Sequence, residues 1–566
     1  MNKTVRLLII ILCLPLFIAA EDVKNIQING VSGKLLDNIQ TRLTEIAQNK
    51  SLKEESEEEL KSQVEKAMAP YGFFKPTIRI SYQPNKTIFN IIPGPRLIVT
   101  KIDTNIIGAG KDNPRFIQAL KELPIKSGKP FNSANYETAK QNLMSVAEQE
   151  GYLRASFEKS EVLIDRKKYI ATIILIFDTG PQYYFGQVRF DPTYISPDLL
   201  HRFVPFKYGQ PYSADKVLEF NNYLSGSGYF KAVNVQPKQN EKSQIIPIDV
   251  HLQRASRINY SLGLGFGTDT GIRGKAGVHI APVNRAGHKF NAVALGSFNE
   301  NSLQTQYVIP GKNPITDQYE ALGSFSNLNY NAAYSNSLLL SLAQRHNLPT
   351  FQRLLSLNAL FERFNYDNQP TFEKTTKNTL YPKATFTWLN KSDQLFSPNG
   401  YKLTLTGLGA TKALLSDINF SQVLLDARAA YMVDPIRTRF FFHTIQGITV
   451  INDIYQLPVS LGFLLGGSDN LKGYNYNALG PGKILTYGGI EVQKETVENW
   501  YVIGFYDVGD VYKPHSKNVK QDVGLGLMWV SPVGPIKIGI AQAIESDFKM
   551  TSGKKPKLVI NIGPDL

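Results

Sequence analysis

A chain of 566 residues exceeds what one hydrophobic core organises and points to two to four domains. Hydrophobic residues at 42%, charged residues at 19% and an aromatic share of 11% exclude both a disordered chain and a bundle of membrane-spanning helices. The formal charge of +14 suits an anionic lipid surface, and nucleic acid is not an expected partner.

The first residues read as an export signal. Lys3 and Arg6 precede the apolar stretch Leu7 to Ile18, and Ala19-Ala20 offers a cleavage site before Glu21 and Asp22. Residues 1–20 are therefore expected to be removed. Cys13 lies inside that stretch, with Leu12 where a lipidation signal would want Gly or Ala, so the mature chain has no cysteine and neither disulfides nor thiol catalysis. Beyond this segment no apolar run approaches the ~18 residues of a spanning helix, so a membrane domain must be a closed β-barrel.

Up to about Arg254 the sequence repeats itself. Tyr71-Gly72-Phe73-Phe74-Lys75, Glu150-Gly151-Tyr152-Leu153-Arg154 and Ser227-Gly228-Tyr229-Phe230-Lys231 recur at nearly constant spacing. Each follows a helical pattern, as in Asn135 to Gln149 with Ala139, Leu143, Val146 and Ala147 on one face, and each precedes strand-like sequence. The glycines read as helix C-caps. A second repeated element, Asn90-Ile91-Ile92-Pro93-Gly94-Pro95 and Ile176-Phe177-Asp178-Thr179-Gly180-Pro181, closes the first two units. Three tandem α+β modules are expected at residues 21–96, 97–181 and 182–255, each a strand, two helices and two more strands. The acidic run Glu54 to Glu59 reads as a solvated helix face.

From residue 256 to 566 the helical pattern gives way to short strands with turns rich in Asn, Asp, Gly and Pro. Ile258, Tyr260, Leu262, Leu264 and Phe266 alternate with Asn259, Ser261, Gly263 and Gly265, giving one face for lipid and one for a polar lumen. At about 19 residues per strand and connection, this region is an all-β transmembrane barrel of about 16 antiparallel strands.

Further motifs carry a family resemblance. Gly466-Gly467-Ser468-Asp469-Asn470-Leu471-Lys472-Gly473-Tyr474 resembles the (V/I)-R-G-(F/Y) loop of the outer-membrane insertase superfamily that contains BamA, TamA and the two-partner secretion pores. Phe505-Tyr506-Asp507-Val508-Gly509 is similar to its F-x-D-x-G strand, and Val523-Gly524-Leu525-Gly526 with Trp529 to Ile536 to its penultimate-strand pattern. Asn284 to His288 and Leu395 to Tyr401 are supporting matches. Three modules, named POTRA in this superfamily, and the ending Asn561-Ile562-Gly563-Pro564-Asp565-Leu566 resemble the TamA branch most. That resemblance covers the mature chain. It implies the outer-membrane component of a translocation and assembly module, working with a TamB-like inner-membrane protein on unfolded outer-membrane or autotransporter clients.

One departure stands out: position 472 is Lys where the family loop has Arg. The resemblance implies an internal loop made by Asp469, Leu471, Lys472, Gly473 and Tyr474, and an acceptor strand made by Phe505, Asp507 and Gly509, with Asp507 receiving the cation. Arg offers a planar fork and Lys a compact ammonium, so the tether is expected to be less rigid.

The closing strand is expected to be short. Leu558, Ile560 and Ile562 alternate with Val559 and Asn561, but Pro556 precedes them and Gly563-Pro564 follows, and Pro lacks a ladder donor. Set against the longer Ile258, Tyr260, Leu262 and Leu264 strand, it leaves backbone groups unpaired at a lateral seam. A client strand would add there by β-augmentation, and the short strand would thin the bilayer through mismatch.

Enzyme chemistry is not expected. Neither H-E-x-x-H nor G-x-S-x-G occurs, the seven histidines lack metal-ligand spacing, no phosphate loop is present, and no cofactor is implied. The alternatives are a BamA-like protein, a two-partner secretion pore, for which a plug helix would need room before Val23, or a passive outer-membrane channel, which has no need of tandem modules or of the Lys472 loop.

Overall fold

The computed structural model describes residues 26–566 apart from 50, 51, 53, 85, 240–242, 268–270, 368–373, 394, 514–517, 533 and 545–554. The expected export signal, with Cys13, lies outside the described residues. The chain forms two compact units: residues 26–189, 206–218 and 236–249 make one, and residues 190–205, 219–235 and 250–566 the other.

Three small α/β units follow one another. The first comprises β1 (Ile26–Asn29), α1 (Lys34–Asn49), α2 (Glu57–Met68), β2 (Thr77–Gln83) and β3 (Lys86–Ile92), with sheet order β1-β3-β2. Ser56 caps α2 by accepting the Glu59 N–H, and Glu57, Glu58 and Glu59 complete a first turn that favours negative charge. The acidic run is thus explained by the helix it starts. Ile39, Leu43, Leu60, Val64 and Met68 bury one helix face each against Phe89 and Ile91 of β3, at about 1.5–3 kcal/mol per large side chain.

The second unit repeats this with β4 (Ile98–Ile107), α3 (Pro114–Lys121), α4 (Ser133–Gln149), β5 (Ser156–Asp165) and β6 (Ile170–Asp178), in order β4-β6-β5. Buried Ala171, Ile173, Leu175 and Phe177 alternate along β6 because only one face meets the helices. The third has β7 (Tyr184–Phe190), α5 (Pro197–His201), α6 (Ala214–Gly226), β8 (Phe230–Pro237) and β9 (Ile245–Arg254), in order β7-β9-β8. Gly72, Gly151 and Gly228 all have φ near +80°, and a Cβ at Gly151 would lie 2.6 Å from the Tyr212 carbonyl oxygen. The repeated glycine therefore marks the left-handed exit from each helical segment.

The compact unit that contains residues 250–566 is dominated by a sixteen-stranded antiparallel sheet. Its strands are β10 (Ile258–Gly267), β11 (Gly271–Ile280), β12 (Lys289–Gly296), β13 (Glu300–Pro310), β14 (Asp317–Asn329), β15 (Ala333–Asn347), β16 (Phe351–Tyr366), β17 (Thr375–Lys391), β18 (Gly400–Ala410), β19 (Phe420–Val433) and β20 (Thr438–Ile451), followed by β23 (Ile484–Val497), β24 (Trp500–Tyr512), β25 (Lys520–Ser531), β26 (Gly534–Ala543) and β27 (Lys557–Ile562). The short pair β21 (Phe463–Leu465) and β22 (Leu479–Gly482) lies in the connection between β20 and β23 and forms a separate small sheet. The motif expected on one penultimate strand is divided by a turn: Val523 to Ser531 lie on β25 and Gly534 to Ile536 on β26, with Ser531 Oγ donating to the Gly534 carbonyl at 2.7 Å. Val533 lies outside the described residues.

Side-chain polarity is inverted relative to a water-soluble sheet. On β15, Leu338, Leu340 and Leu342 are exposed while Ser335 and Ser337 are buried, and Ser335 donates to Glu362 at 2.7 Å. An apolar outer band around a polar lumen is the pattern of a membrane barrel. Within this unit the segment around Tyr229 is tied to a barrel turn. Tyr229 Oη donates to the Gly287 carbonyl at 2.5 Å, Ser196 N to Arg285 O at 2.8 Å, and Lys289 Nζ to Ser227 O at 2.7 Å.

Candidate functional site

The long connection from β20 to β23 folds back into the barrel lumen, where Leu471 and Tyr474 are fully buried. The Lys472 ammonium lies 2.8 Å from Asp507 Oδ2 on β24 and 3.4 Å from Glu491 Oε1 on β23, and 4.7 Å from the centre of the Phe505 ring. Burial disfavours its charge, but Asp507 and Glu491 outweigh burial and hold its pKa well above the ordinary lysine value. Tyr487 Oη donates to the other Asp507 oxygen at 2.8 Å. Asp522 stands directly opposite Asp507 in the β24–β25 register, and its Oδ2 accepts the Gly473 N–H at 2.9 Å.

Gly473 and Gly509 are required by close approach. A Cβ at Gly473 would lie 2.7 Å from Ala543 N and 2.9 Å from Asp522 Cβ, and one at Gly509 would lie 2.9 Å from Thr486 O. Asp469 ties the loop to the neighbouring β19 by accepting from Arg428 Nη2 at 2.8 Å, while its carbonyl oxygen lies 3.2 Å from His443 Nδ1 of β20. The loop also reaches the last strand, since Lys557 Nζ donates to Tyr474 O at 2.7 Å.

The ion pair at Lys472 is one end of a chain of alternating charges. Glu491 also accepts from Lys537 of β26 at 2.7 Å; Lys537 lies 3.3 Å from Asp565, and Asp565 receives both Nη1 and Nη2 of Arg439, at 2.8 and 3.0 Å. Asp507, Lys472, Glu491, Lys537, Asp565 and Arg439 thus form one continuous series through the lumen. Sequence patterns named only its first two members. Glu491, Lys537 and Arg439 sit on strands as alternating inward polar residues, a periodicity visible in Arg439-Phe440-Phe441-Phe442-His443 and Glu491-Val492-Gln493, but their pairing depends on the register of distant strands.

The strand order of the sheet ends at β10 and at β27. They approach each other, but no backbone ladder joins them among the described residues. Along β10, Tyr260, Leu262 and Leu264 are 78%, 89% and 92% exposed, and Ile258 lies at the same outer face. Among the described residues β27 pairs with β26 through Lys557–Ile562, six residues against the ten that β10 pairs with β11, and the Gly563 N–H donates to Pro535 O at 3.0 Å. Leu558 and Ile562 face outward with Ile560, and Val559 points inward and is buried. After Ile562 the chain turns at Gly563, whose φ is +131°, and Pro564 leads Asp565 and Leu566 into the lumen.

Residues 286–563 match the Omp85 superfamily domain, residues 25–100 the POTRA domain described as TamA domain 1, and residues 183–254 the POTRA domain described as surface antigen variable number repeat. The chain carries an Omp85 superfamily domain preceded by POTRA domains. Its Omp85 domain begins in the β11–β12 turn and ends at Gly563, so it holds the loop, the charge series and β27. Among solved structures, BamA from Haemophilus ducreyi lacking POTRA domains 1-3 superposes with a TM-score of 0.67 and 15% identity, over 82% of this chain and 99% of that one. That likeness establishes the shared fold. CdiB from Acinetobacter baumannii aligns with a TM-score of 0.47 and 13% identity, over 94% of this chain and 100% of that one. The Omp85 domain makes the chain an outer-membrane insertase or secretion pore by family, which implies a barrel in the outer membrane and POTRA units in the periplasm.

Proposed function

We propose that this protein is the outer-membrane component of a translocation and assembly module and helps insert or secrete β-barrel and autotransporter-type proteins. The reading is carried by one observation: the first and last barrel strands, of ten and six residues, lie side by side with no backbone ladder joining them among the described residues. A strand entering lipid must pair its N–H and C=O groups before it leaves water, because each unpaired group costs several kcal/mol in hydrocarbon. An open edge at the membrane supplies those partners in register, and folding of the client supplies the driving force. The module sheets offer further edges for extended segments and for a TamB-like inner-membrane partner, and residues 1–20 direct the chain to export.

The test is a cross-link between Leu262→Cys and Ile560→Cys, or neighbouring pairs along the two strands. Oxidation is expected to abolish assembly of an autotransporter client, and reduction to restore it. Undiminished assembly with the strands locked would remove the seam from the mechanism. Co-purification of a large β-rich inner-membrane protein from solubilised membranes tests the assignment to a translocation and assembly module.

A further inference from the structure

The segment after β27 occupies a carboxylate site that the rest of the barrel has built. Arg439, near the start of β20, is fully buried. Its Nη1 donates to Gln493 Oε1 at 2.8 Å, its Nη2 to Ser397 O at 3.0 Å and its Nε to Pro398 O at 3.3 Å, while its Cζ lies 4.8 and 5.5 Å from the centres of the Phe396 and Phe441 rings. This frame leaves one N–H on each terminal nitrogen for a bidentate anion, and Asp565 takes both. Lys537 adds a second cation at 3.3 Å from the same carboxylate. Beside them, Leu566 is buried with Ala430 and Phe441.

Receptor and ligand belong to elements of very different hold. Arg439 and its frame are carried by β19, β20, β23 and the turn between β17 and β18, and each of these strands has sheet neighbours on both sides, while Lys537 sits on β26 beside β27. The ligand hangs from β27, whose ladder with β26 runs along six residues, and it reaches a strand five places away in the sheet. Withdrawing Asp565 strands Arg439 among two carbonyls and an amide, with no carboxylate, and an uncompensated buried cation is strongly unfavourable. Release of the segment is therefore far easier by exchange for another carboxylate than by simple departure.

We propose that Arg439 and Lys537 form a receptor for an acidic residue followed by a large aliphatic one in an extended segment of an incoming polypeptide, held at rest by this chain's own Asp565 and Leu566. Exchange at the receptor frees β27; this consequence rests on the reading of β10 and β27 as a seam that opens.

The test uses the full-length protein in lipid nanodiscs and a fluorescent, C-terminally amidated peptide with the sequence of residues 561–566, beside a version whose Asp is replaced by Asn. Asp565→Asn protein, which vacates the receptor, is expected to bind the Asp peptide at least tenfold more tightly than the unsubstituted protein does, and the Asn peptide at least tenfold more weakly than the Asp peptide. Adding Lys537→Met should weaken binding again, and the comparison of the two peptides on one protein needs no further variant to fold. Equal binding of both peptides, or no binding to the Asp565→Asn protein, would overturn the receptor. Spin labels at Tyr260→Cys and Ile562→Cys report separately on the strands: binding with a widened distance supports the whole proposal, binding at an unchanged distance keeps the receptor and removes the opening seam, and a functional seam cross-link without peptide binding removes the receptor alone.

Discussion

Glu491 is shared by two lysines: Lys537 donates to its Oε2 at 2.7 Å, and Lys472 stands 3.4 Å from its Oε1. One carboxylate on β23 therefore joins the anchor of the internal loop to the anchor of the segment after β27.

Glu491→Ala is expected to leave two buried ammonium groups under-compensated and to cost about 3–5 kcal/mol. The measurement is the temperature at which the folded barrel loses its compact migration on a gel. Lys472→Met and Asp565→Asn should be non-additive with each other, because Glu491 and Lys537 connect them, by about 0.5–3 kcal/mol in a double-mutant cycle. Strict additivity would show that the series is a row of independent pairs. Lys472→Arg restores the residue usual in the family loop and should retain stability, since Asp507, Glu491 and the Phe505 ring all accept a guanidinium.

Gly473→Ala places a methyl group 2.7 Å from a backbone nitrogen of β26 and 2.9 Å from Asp522 Cβ, neither of which can swing away. The loop is expected to leave its seat and become cleavable by an added protease while the strands stay folded. A loop as protected as in the unsubstituted protein would mean that β26 yields instead.

Asp565 should make the hold on β27 insensitive to pH across the neutral range. Burial raises its pKa, but Lys537 and Arg439 outweigh burial and the more distant Glu491, so the carboxyl sits below its ordinary value. A depressed folded value adds stability that is fully present above the unfolded pKa of about 3.9 and is lost as pH falls through the folded one. The distance between labels at Tyr260→Cys and Ile562→Cys is therefore expected to be constant from pH 8 to pH 5 and to change only below about pH 4. A change centred near pH 6 would place control in another group.

The sequence carried the architecture because the relevant signals are local. Three recurrences of a Gly-aromatic pair, period-two alternation as in Ile258 to Phe266, and turn residues between strands define elements without knowledge of their neighbours. The Lys472 loop and the Asp507 strand could be named from motifs, and Pro556 and Gly563-Pro564 bracket a short β27 by backbone chemistry alone. Arg439, Glu491 and Lys537 could not be assigned, because an inward polar residue on a strand says nothing about which distant strand completes its charge. The inward course of Asp565 and Leu566 was equally hidden. Gly563-Pro564 signals that pairing stops, and only the lumen's cations decide where the chain goes next. The ties from Tyr229 to Gly287 and from Lys289 to Ser227 use carbonyl oxygens, which every sequence possesses everywhere.

Both openings of the barrel carry inward-folded chain: the β20–β23 connection enters from one end, and Gly563 to Leu566 cross at the other. Such an arrangement is expected to act as a stopper against bulky antibiotics. Machinery that works along its wall can keep its bore shut, and cells that carry variants with a loosened stopper should betray themselves by sensitivity to large, normally excluded drugs.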